Sequence, residues 1–286
     1  MNNIIVKCLG GLGNQMFQYA FYRCLRLDGR SVVLDISEFD SYELHNGFEL
    51  ERIFGIRINL ANANEVNKIK QMVSDANILQ KIWWKIANSK PIIHQESFAY
   101  SSRYKSFERS RYLEGYWQSE KYFDKYADVI RHEFNFPELD YKNTLLAEQI
   151  CDSNSVSIHV RRGDYVNHPI HGGICTLDYY QQAIDIITTK LINPKFFVFS
   201  NDINWCKVNL NLENAVYITG NYGKDSYKDM QLMSMCKHNI IANSSFSWWG
   251  AWLNNNQDKI VIAPQKWFND PKINTKDLIP DRWHKI

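Results

Sequence analysis

Short apolar runs alternate with segments of helical periodicity along most of this chain. The run SVSIHV at 155–160 has the length and apolar character of a buried strand, and LDYYQQAIDIITTKL at 177–191 repeats apolar residues at helical spacing. The same reading predicts other strands over 4–9, 31–35, 195–200, 215–218, 239–243 and 259–263. It predicts other helices over 15–28, 62–89, 119–133, 202–210, 225–236 and 245–255. Such alternation is typical of a parallel sheet covered on both faces, so we expect an α/β fold.

The alternation begins twice, at residue 4 and again at residue 155, and the region 140–154 lies between the two series. A chain of 286 residues is long enough for two small domains. We therefore expect two Rossmann-like domains, residues 1–150 and residues 151–286.

Composition and charge narrow the possible partners. The formal net charge is only +2, which gives no reason to expect a nucleic-acid partner. No stretch approaches the ~20 apolar residues of a membrane span, and the first apolar run is interrupted at Lys7, unlike a signal peptide. The six cysteines show no C-x-x-C spacing, so we expect reduced thiols. Together these features predict a cytoplasmic protein with at most peripheral association at the inner face of the plasma membrane.

The stretch CLGGLGNQMFQYA at 8–20 joins the first strand to the first helix and has the layout of a phosphate-binding turn. A dinucleotide fingerprint, G-x-G-x-x-G, requires glycine or alanine where this chain has Met16, whose bulk hinders close packing of strand and helix. Asp35 lies about 20 residues further on, at a strand end, where the fingerprint has its ribose-binding acid. An NAD-dependent oxidoreductase therefore stays open as a weaker alternative.

Two other interpretations of this turn need no dinucleotide. It is either a tight turn without a ligand, or a site where backbone N–H groups and polar side chains face a phosphate or a sugar. The turn offers several amide donors, and the side chains of Asn14 and Gln15 suit a ligand better than a packing role. Gly11, Gly13 and Asn14 are therefore candidate site residues.

The segment SIHVRRGDY at 157–165 is the most informative part of the chain. An apolar strand runs directly into four polar residues, His159, Arg161, Arg162 and Asp164. Ligands of open α/β sheets bind beyond the carboxyl ends of strands. Neighbouring strand residues point to opposite faces, so one arginine can meet a ligand while the other pairs with a carboxylate such as Asp164. Guanidinium groups bind phosphate with two prongs and keep their charge. The alternatives are a surface ion pair at a solvated strand end and, for His159, a core histidine bonded to the backbone.

A third segment, CKHNIIANSSFSWWGAWL at 236–253, follows the same plan. A strand ends at Asn243, and Ser244 and Ser245 precede a helix, where hydroxyl groups and helix N-terminal N–H groups can bind an anion. A plain helix cap is the alternative for either serine. The tryptophans of this segment, Trp248, Trp249 and Trp252, are expected in the core.

Acidic residues elsewhere suggest nucleotide contacts and no metal site. Asp202 ends the strand segment FFVFSND, and Asp229 lies in a predicted helix; each can accept from a guanine edge or lie at the surface. The sequence has no Asp-x-Asp, no GxxxxGK[ST] loop and no clustered His/Cys set. We therefore expect no metal and no other cofactor, with arginine and backbone dipoles neutralising a diphosphate leaving group.

Three blocks, GGLGNQMFQYA near the start, HVRRGD in the middle and ANSSFSWWGAWL near the end, resemble in this order the motifs of bacterial α-1,2-fucosyltransferases, glycosyltransferase family 11. The resemblance implies a GT-B architecture, in which two Rossmann-like domains face each other across a cleft. Residues 1–150 would be the acceptor side and residues 151–286 would bind GDP-fucose. It implies inverting, metal-independent transfer of L-fucose to the 2-hydroxyl of a galactose in an oligosaccharide or lipid-linked glycan, in bacterial surface-polysaccharide or O-antigen synthesis.

The resemblance also implies roles for single residues. Arg161 would contact the donor diphosphate, and His159 and Asp229 would hold the guanine. Ser244 and Ser245 would touch the phosphates, and Asn14 would lie near the reacting sugar. The expected catalytic residues are Arg161, Asn14 and Asp164, and the expected donor-binding residues are Gly11, Gly13, His159, Arg162, Asp202, Asp229, Asn243, Ser244 and Ser245.

The catalytic base is left open by a departure from the α-1,6 enzymes, which carry a glutamate a few residues after the arginine motif. Here YVNHPIHGG follows Asp164 with no carboxylate. The candidates are Asp164, His168 and Glu38, and a sufficiently dissociative transition state would need no base. The rival functions are another GDP-sugar transferase of the same fold (α-1,6 or protein O-linked), an NAD-dependent oxidoreductase and a non-catalytic sugar-binding module.

Overall fold

The computed structural model describes residues 3–41, 44–107 and 110–286, which divide into two compact units. The N-terminal unit comprises the described residues up to Asn135 together with Lys276–Leu278. The C-terminal unit comprises Phe136–Thr275 and Ile279–Ile286.

The predicted domain boundary at 150/151 is wrong. Residues Tyr141–Cys151 form a helix, and its Ala147 and Ile150 are buried in one apolar cluster with Phe197 and Phe199 of the second sheet. Because this helix covers a face of the second sheet, it belongs to the C-terminal unit, and the boundary lies before it.

Parallel strands form the sheet of the N-terminal unit. Within the described residues its strands are β1 (Ile4–Lys7), β2 (Val32–Asp35), β3 (Ile92–His94) and β4 (Arg111–Glu114). They lie in the order β2-β1-β4-β3, with Ile4 opposite both Val32 and Arg111. The strands predicted at 4–9 and 31–35 are confirmed in shortened form. Strands β3 and β4, of three and four residues, were not predicted.

The helices of the N-terminal unit correct two of the predicted ones. Within the described residues they are α1 (Leu12–Leu27), α2 (Leu50–Phe54), α3 (Ala63–Ser74), α4 (Ile78–Ile86) and α5 (Ala127–Glu133). The helix predicted over 62–89 is divided, because Asn77 and Gln80 exchange side-chain and backbone hydrogen bonds in a capping box that starts α4. The helix predicted over 119–133 consists of two short 3₁₀ turns followed by α5.

The sheet of the C-terminal unit is also entirely parallel in the described residues. Its strands are β5 (Asn154–Val160), β6 (Pro194–Ser200), β7 (Ala215–Tyr217), β8 (His238–Ile240), β9 (Val261–Ala263) and β10 (His284–Lys285), in the order β10-β9-β8-β5-β6-β7. The central strand β5 places His159 opposite Phe199 of β6, and Ile158 opposite Ile240 of β8. The predicted α/β fold with parallel sheets is therefore confirmed, although the two-residue strand β10 was not foreseen.

Helices cover both faces of this second sheet. They are α6 (Tyr141–Cys151), α7 (Leu177–Lys190), α8 (Ile203–Asn209), α9 (Tyr227–Met235) and α10 (Ser245–Leu253). Val156 and Ile158 of β5 pack with Tyr180 of α7, whereas Phe197 of β6 packs with Met233 of α9 in a separate cluster. The tryptophans of α10, Trp248, Trp249 and Trp252, are buried as predicted. No helix within the described ranges is both long and apolar enough to cross a membrane.

Candidate functional site

Polar residues follow the carboxyl ends of β6, β5 and β8, which are adjacent in the sheet of the C-terminal unit. Since the three strands are parallel, their ends meet at one edge of the sheet. The structure thus brings together three groups that contain predicted residues: Arg161 and Arg162, Asp202 with its neighbour Asn201, and Asn243 and Ser244.

Arg162 is held by the protein itself. Its backbone N–H donates to Asn201 Oδ1 over 2.9 Å, and its Nε donates to Asp202 Oδ2 over 3.2 Å. Its guanidinium carbon lies 4.0 Å from the centre of the Trp205 ring, close enough for a cation–π contact. Gly163 gives room next to this arginine, because a Cβ there would collide with the side-chain amide of Asn201 and force it to shift. The carboxylate partner of Arg162 is therefore Asp202.

Arg161 has a looser environment than its neighbour. It pairs with Asp164 over 2.9 Å, and the guanidinium lies 5.4 Å from the centre of the Tyr165 ring. Its Nε is buried, and none of the residues that the structure describes accepts a hydrogen bond from it. A buried N–H without an acceptor is costly and is a mark of a site completed by a ligand or water. Arg161 can therefore donate to an anion that binds at this edge.

His159 lies in β5, and Arg161 follows the end of that strand, close enough for its charge to act on the histidine. The side chain is buried, its ring centre lies 5.9 Å from that of Phe246, and its backbone carbonyl accepts from the Tyr180 hydroxyl. Its Nδ1 has no hydrogen-bond partner within the described part of the chain. Burial, with a smaller effect from the Arg161 charge, lowers the pKa of His159 to about 3. The histidine is therefore a neutral polar group at physiological pH.

Helix α10 begins beside this pair. Ser244 occupies the N-cap position, but its side chain makes no capping hydrogen bond, so the alternative of a plain side-chain cap does not describe it. Ser245 is the first helical residue. Phe246, in the same first turn, contacts His159. The N-terminus of α10 thus adds the positive end of a helix dipole to the neighbourhood of His159 and Arg161.

The side chain of Asn243 forms hydrogen bonds with the loop that follows the arginine motif. Its Nδ2 donates to the carbonyl of His171 over 3.1 Å and to that of Trp267 over 3.2 Å, and its Oδ1 accepts from Cys175. Both side-chain amide protons are used inside the protein, so the side chain of Asn243 has no N–H left for the expected contact with the donor.

The two candidate guanine acceptors have different surroundings. Asp202 pairs with Arg162 through Oδ2 and caps α8 through Oδ1, which accepts from the Trp205 N–H. Both of its oxygens are thus engaged. Asp229 is half-buried in the first turn of α9, and Asn221 Nδ2 donates to its Oδ1 over 2.8 Å. Burial raises the pKa of Asp229 to about 6, against the lowering effect of Asn221 and Lys142.

The glycine turn in the N-terminal unit is built as predicted only in part. Gly10 has φ +97°, and a Cβ there would come within 2.8 Å of Asn14 Nδ2, so glycine is required. Gly11 caps α1, in whose first turn Gly13 and Asn14 lie, and Asn14 Oδ1 accepts from Gln118 Nε2 over 2.8 Å. Gln15, however, does not suit a ligand: it is fully buried.

The bonds of Gln15 explain why the sequence interpretation of this residue is wrong. Its Nε2 donates to the carbonyls of Gly10 and Gly47, and its Oε1 accepts from the Glu49 N–H. Gln18 acts in the same way, accepting from the Leu9 N–H and donating to the Gly115 carbonyl. Both glutamines of GNQMFQYA thus fasten loops to α1.

Asp35 does not have the surroundings of a ribose-binding acid. It is buried, and its Oδ2 accepts from the Tyr112 hydroxyl over 2.6 Å while its Oδ1 accepts from the Ser37 N–H. Burial alone would raise the pKa of Asp35, but these hydrogen bonds outweigh it and lower the pKa. The carboxylate of Asp35 accepts hydrogen bonds inside the N-terminal unit, so it does not support the dinucleotide interpretation.

The three candidate bases differ in how they are bound. Glu38 lies in the N-terminal unit and pairs with Lys7 over 2.6 Å. His168 Nδ1 accepts from the N–H groups of Ile170 and His171. Asp164 is half-exposed and pairs with Arg161. Among the three, Asp164 is thus the one in contact with the expected phosphate-binding residue.

Comparison with known sequences identifies the family. Residues 2–286 match the sequence model of Glycosyl transferase family 11. The chain belongs to this family. It is therefore a glycosyltransferase, as the resemblance implied.

Known members similar to this family 11 glycosyltransferase include two proteins of Escherichia coli. An alpha-1,2-colitosyltransferase is 37% identical over 298 residues, with 100% of this chain and 99% of that protein covered. The O-antigen biosynthesis glycosyltransferase WbnK is 34% identical, with 97% and 98% covered. Galactoside alpha-(1,2)-fucosyltransferase 2 of Sus scrofa is 26% identical, with 87% of this chain and 68% of that protein covered.

Solved structures show where the fold recurs. The NodZ alpha-1,6-fucosyltransferase soaked with GDP-fucose superimposes with a TM-score of 0.51 at 15% identity, covering 88% of this chain and 92% of that one. Fucosyltransferase NodZ from Bradyrhizobium gives a TM-score of 0.50 at 14% identity, covering 87% and 91%. This likeness shows the fold, and the expected α/β architecture of GT-B type is confirmed.

Several residues that contact the candidate residues within each unit carry no sequence signal of their own. Trp205, which contacts Arg162, lies in α8 without a motif, and Gln118, which binds Asn14, lies far along the chain from it. Asn221, which orients Asp229, is a loop residue. Only Asn201 stood at a predicted strand end, next to Asp202, where polar residues of parallel sheets gather.

Proposed function

We propose that this family 11 glycosyltransferase transfers L-fucose from GDP-fucose to the 2-hydroxyl of a galactose residue in a bacterial surface glycan. The observation that carries the proposal is a pair of buried polar atoms, His159 Nδ1 and Arg161 Nε, which lie at the carboxyl end of β5 without partners among the described residues. A nucleoside diphosphate would give both a partner. The names of the relatives support an α-1,2 linkage and O-antigen synthesis.

The chemistry asks the protein to stabilise a departing diphosphate. As the acceptor oxygen forms its bond to the anomeric carbon, the bond from that carbon to the β-phosphate oxygen breaks, and its electron pair leaves on GDP. Arg161 would receive this charge, because its guanidinium is permanently charged and forks toward phosphate. The N-terminus of α10, with Ser244 and Ser245, would add a positive dipole end.

Other residues would hold the donor. Neutral His159 and the carboxylate of Asp229 would contact the guanine, as the family resemblance implied. The acceptor's proton would pass to Asp164 or to water. Gly11, Gly13 and Asn14 belong to the other unit, and their contribution stays a prediction, to be tested by the loss of transfer in Asn14→Ala. The reaction would need no metal, because Arg161 and the α10 dipole supply the compensating charge.

The E. coli colitosyltransferase favours a second candidate for the donor. Colitose is L-fucose without its 3-hydroxyl, so the two sugar nucleotides differ by one oxygen and one donor–acceptor group. A site that hydrogen-bonds the 3-hydroxyl would discriminate strongly against the deoxy sugar, whereas an apolar site would discriminate only weakly.

The experiment offers the purified protein GDP-fucose and GDP-colitose in parallel, with β-1,3- and β-1,4-linked galactosides as acceptors. The ratio of kcat/KM for the two donors assigns the sugar, and NMR of the product assigns the linkage. A new bond to the 6-hydroxyl, or hydrolysis without transfer, would contradict the proposal. If NADH stabilised the protein against melting and GDP did not, the oxidoreductase alternative would replace it.

A further inference from the structure

Helix α4 (Ile78–Ile86) turns its apolar face to solvent. Its exposed apolar side chains are Ile78 at 75%, Leu79 at 76%, Ile82 at 49%, Trp83 at 55% and Ile86 at 80% exposure. With about 100° between successive residues, they occupy one side of the helix. Trp84, on the other side, is the one residue of α4 that is partly buried. A helix at the surface of a globular protein normally buries its apolar stripe, so α4 is inverted.

The charged residues of α4 and of the segment that follows it up to residue 95 are all basic. Residues 76–95 contain Lys81, Lys85 and Lys90 and no aspartate or glutamate. Lys81 and Lys85 follow the apolar stripe along one edge, at the i, i+4 spacing. A contiguous apolar surface of this kind marks an interaction site, and the lysines beside it specify an anionic partner.

A groove beside α4 extends the basic surface. It has a volume of about 850 Å³, and among its lining residues are Trp83, Lys85, Lys90, Arg103 and Arg111. Glu96 is the carboxylate in this lining, and Arg103 pairs with it over 2.9 Å. The cations of the groove outnumber its one acid, so anionic groups next to the apolar stripe would be attracted.

We propose that α4 docks this protein peripherally onto an anionic lipid bilayer. A helix of nine residues is about 13.5 Å long, far less than the roughly 30 Å of a bilayer core, so it would lie in the plane of the interface. Its isoleucines and Trp83 would enter the region between headgroups and acyl chains, and the lysines would contact lipid phosphates. A second copy of this chain fits less well, because its own lysines would oppose these. The proposal does not depend on which sugar is transferred.

The test measures binding to vesicles of phosphatidylcholine with phosphatidylglycerol, and to vesicles of phosphatidylcholine alone, by flotation. Each lysine near an anionic surface contributes about fivefold to the partition coefficient, so three contribute on the order of 10² at low salt. We expect wild type to float with anionic vesicles only. The variant Lys81→Gln/Lys85→Gln/Lys90→Gln should lose about that factor.

An apolar variant and a matched control isolate the stripe. Ile78→Gln/Ile82→Gln/Ile86→Gln should lower binding by at least about tenfold. Ile192→Gln/Val208→Gln, which changes side chains that are 82% and 83% exposed in the C-terminal unit, should bind as wild type does. Vesicles should also shift the tryptophan emission to the blue in wild type, and Trp83→Phe should abolish most of that shift.

Several outcomes would overturn the proposal. Wild type could stay unbound with anionic vesicles, or the isoleucine variant could bind as tightly as wild type. Light scattering could instead show that wild type is a dimer, that the isoleucine variant is a monomer, and that neither binds vesicles. Helix α4 would then be a contact between two copies of the chain. Turnover of a water-soluble acceptor should be unchanged in every variant, which separates this test from that of the proposed function.

Discussion

Replacing Arg161 by alanine should separate activity from stability. The ion pair with Asp164 joins side chains that are 29% and 53% exposed, and such a pair contributes about 0–1 kcal/mol. The free energy of unfolding should therefore fall by at most about 1 kcal/mol. If Arg161 stabilises the departing diphosphate, loss of this donor should lower kcat by roughly 10²–10³, and its full charge places it at the upper end.

The neighbouring arginine provides the comparison. Arg162→Ala removes the bond to Asp202 and the contact at 4.0 Å with Trp205, so its free energy of unfolding should fall by about 1–2 kcal/mol. The kcat of this variant should fall together with its free energy of unfolding. Arg161→Lys, which keeps the charge and loses the fork, should lie between Arg161→Ala and wild type in kcat. Arg57→Ala, an exposed arginine of the N-terminal unit, should match wild type in both.

The assay pairs GDP release from the transfer reaction with urea unfolding of each variant. A soluble, folded Arg161→Ala protein with near-normal kcat would remove Arg161 from the chemistry. So would a structure of the GDP complex in which the diphosphate lies away from Arg161.

Other perturbations test the remaining assignments. Tyr112→Phe removes the hydroxyl that donates to Asp35, so urea unfolding should show a loss of about 1–3 kcal/mol, and no loss would contradict the structural role of Asp35. Because the pKa of Asp229 is about 6, its protonation as pH falls through 6 should weaken GDP binding, measured by calorimetry. Asp229→Asn should bind GDP with little dependence on pH. If binding to the variant declined equally over this pH range, the decline would belong to another group. The pKa of His159 is about 3 in the folded protein and roughly 6.5 in the unfolded chain. As pH falls below about 6.5, the unfolded chain binds a proton that the folded protein does not, so the free energy of unfolding decreases. His159→Gln should flatten that decline in thermal unfolding, and an unchanged slope would contradict the burial. Turnover should persist in excess chelator, and a complete loss reversed by a divalent cation would refute the metal-independent proposal.

Most elements of the C-terminal unit could be predicted, because its strands are long apolar runs and its helices are clearly periodic. The run at 155–160 became β5, and the segment at 177–191 became α7, nearly to the residue. The N-terminal unit was harder. Strands β3 and β4 are short, and β4 pairs with β1, which lies far from it in the sequence, so no local pattern records the pairing.

The site shows the same division. His159, Arg161, Arg162 and Asp202 were recognised because polar residues at the carboxyl ends of parallel strands must meet at one edge. The order of residues alone did not distinguish the two arginines, although the family resemblance assigned the diphosphate to Arg161; the structure gives the physical difference between them. Arg162 is surrounded by Asn201, Asp202 and Trp205, and Gly163 allows Asn201 to approach it.

Residue type and local order were thus enough for the α/β class, the family and the strand ends where charge collects, because these follow from short-range periodicity and motif spacing. The division of labour between neighbouring polar side chains came from three-dimensional packing. Gln15 and Asp35 are polar residues in a turn and at a strand end, and nothing in their order along the chain distinguishes them from ligand-binding groups. Both are satisfied inside the protein, since a buried polar group must find its partners, and those partners are brought to it by distant parts of the chain.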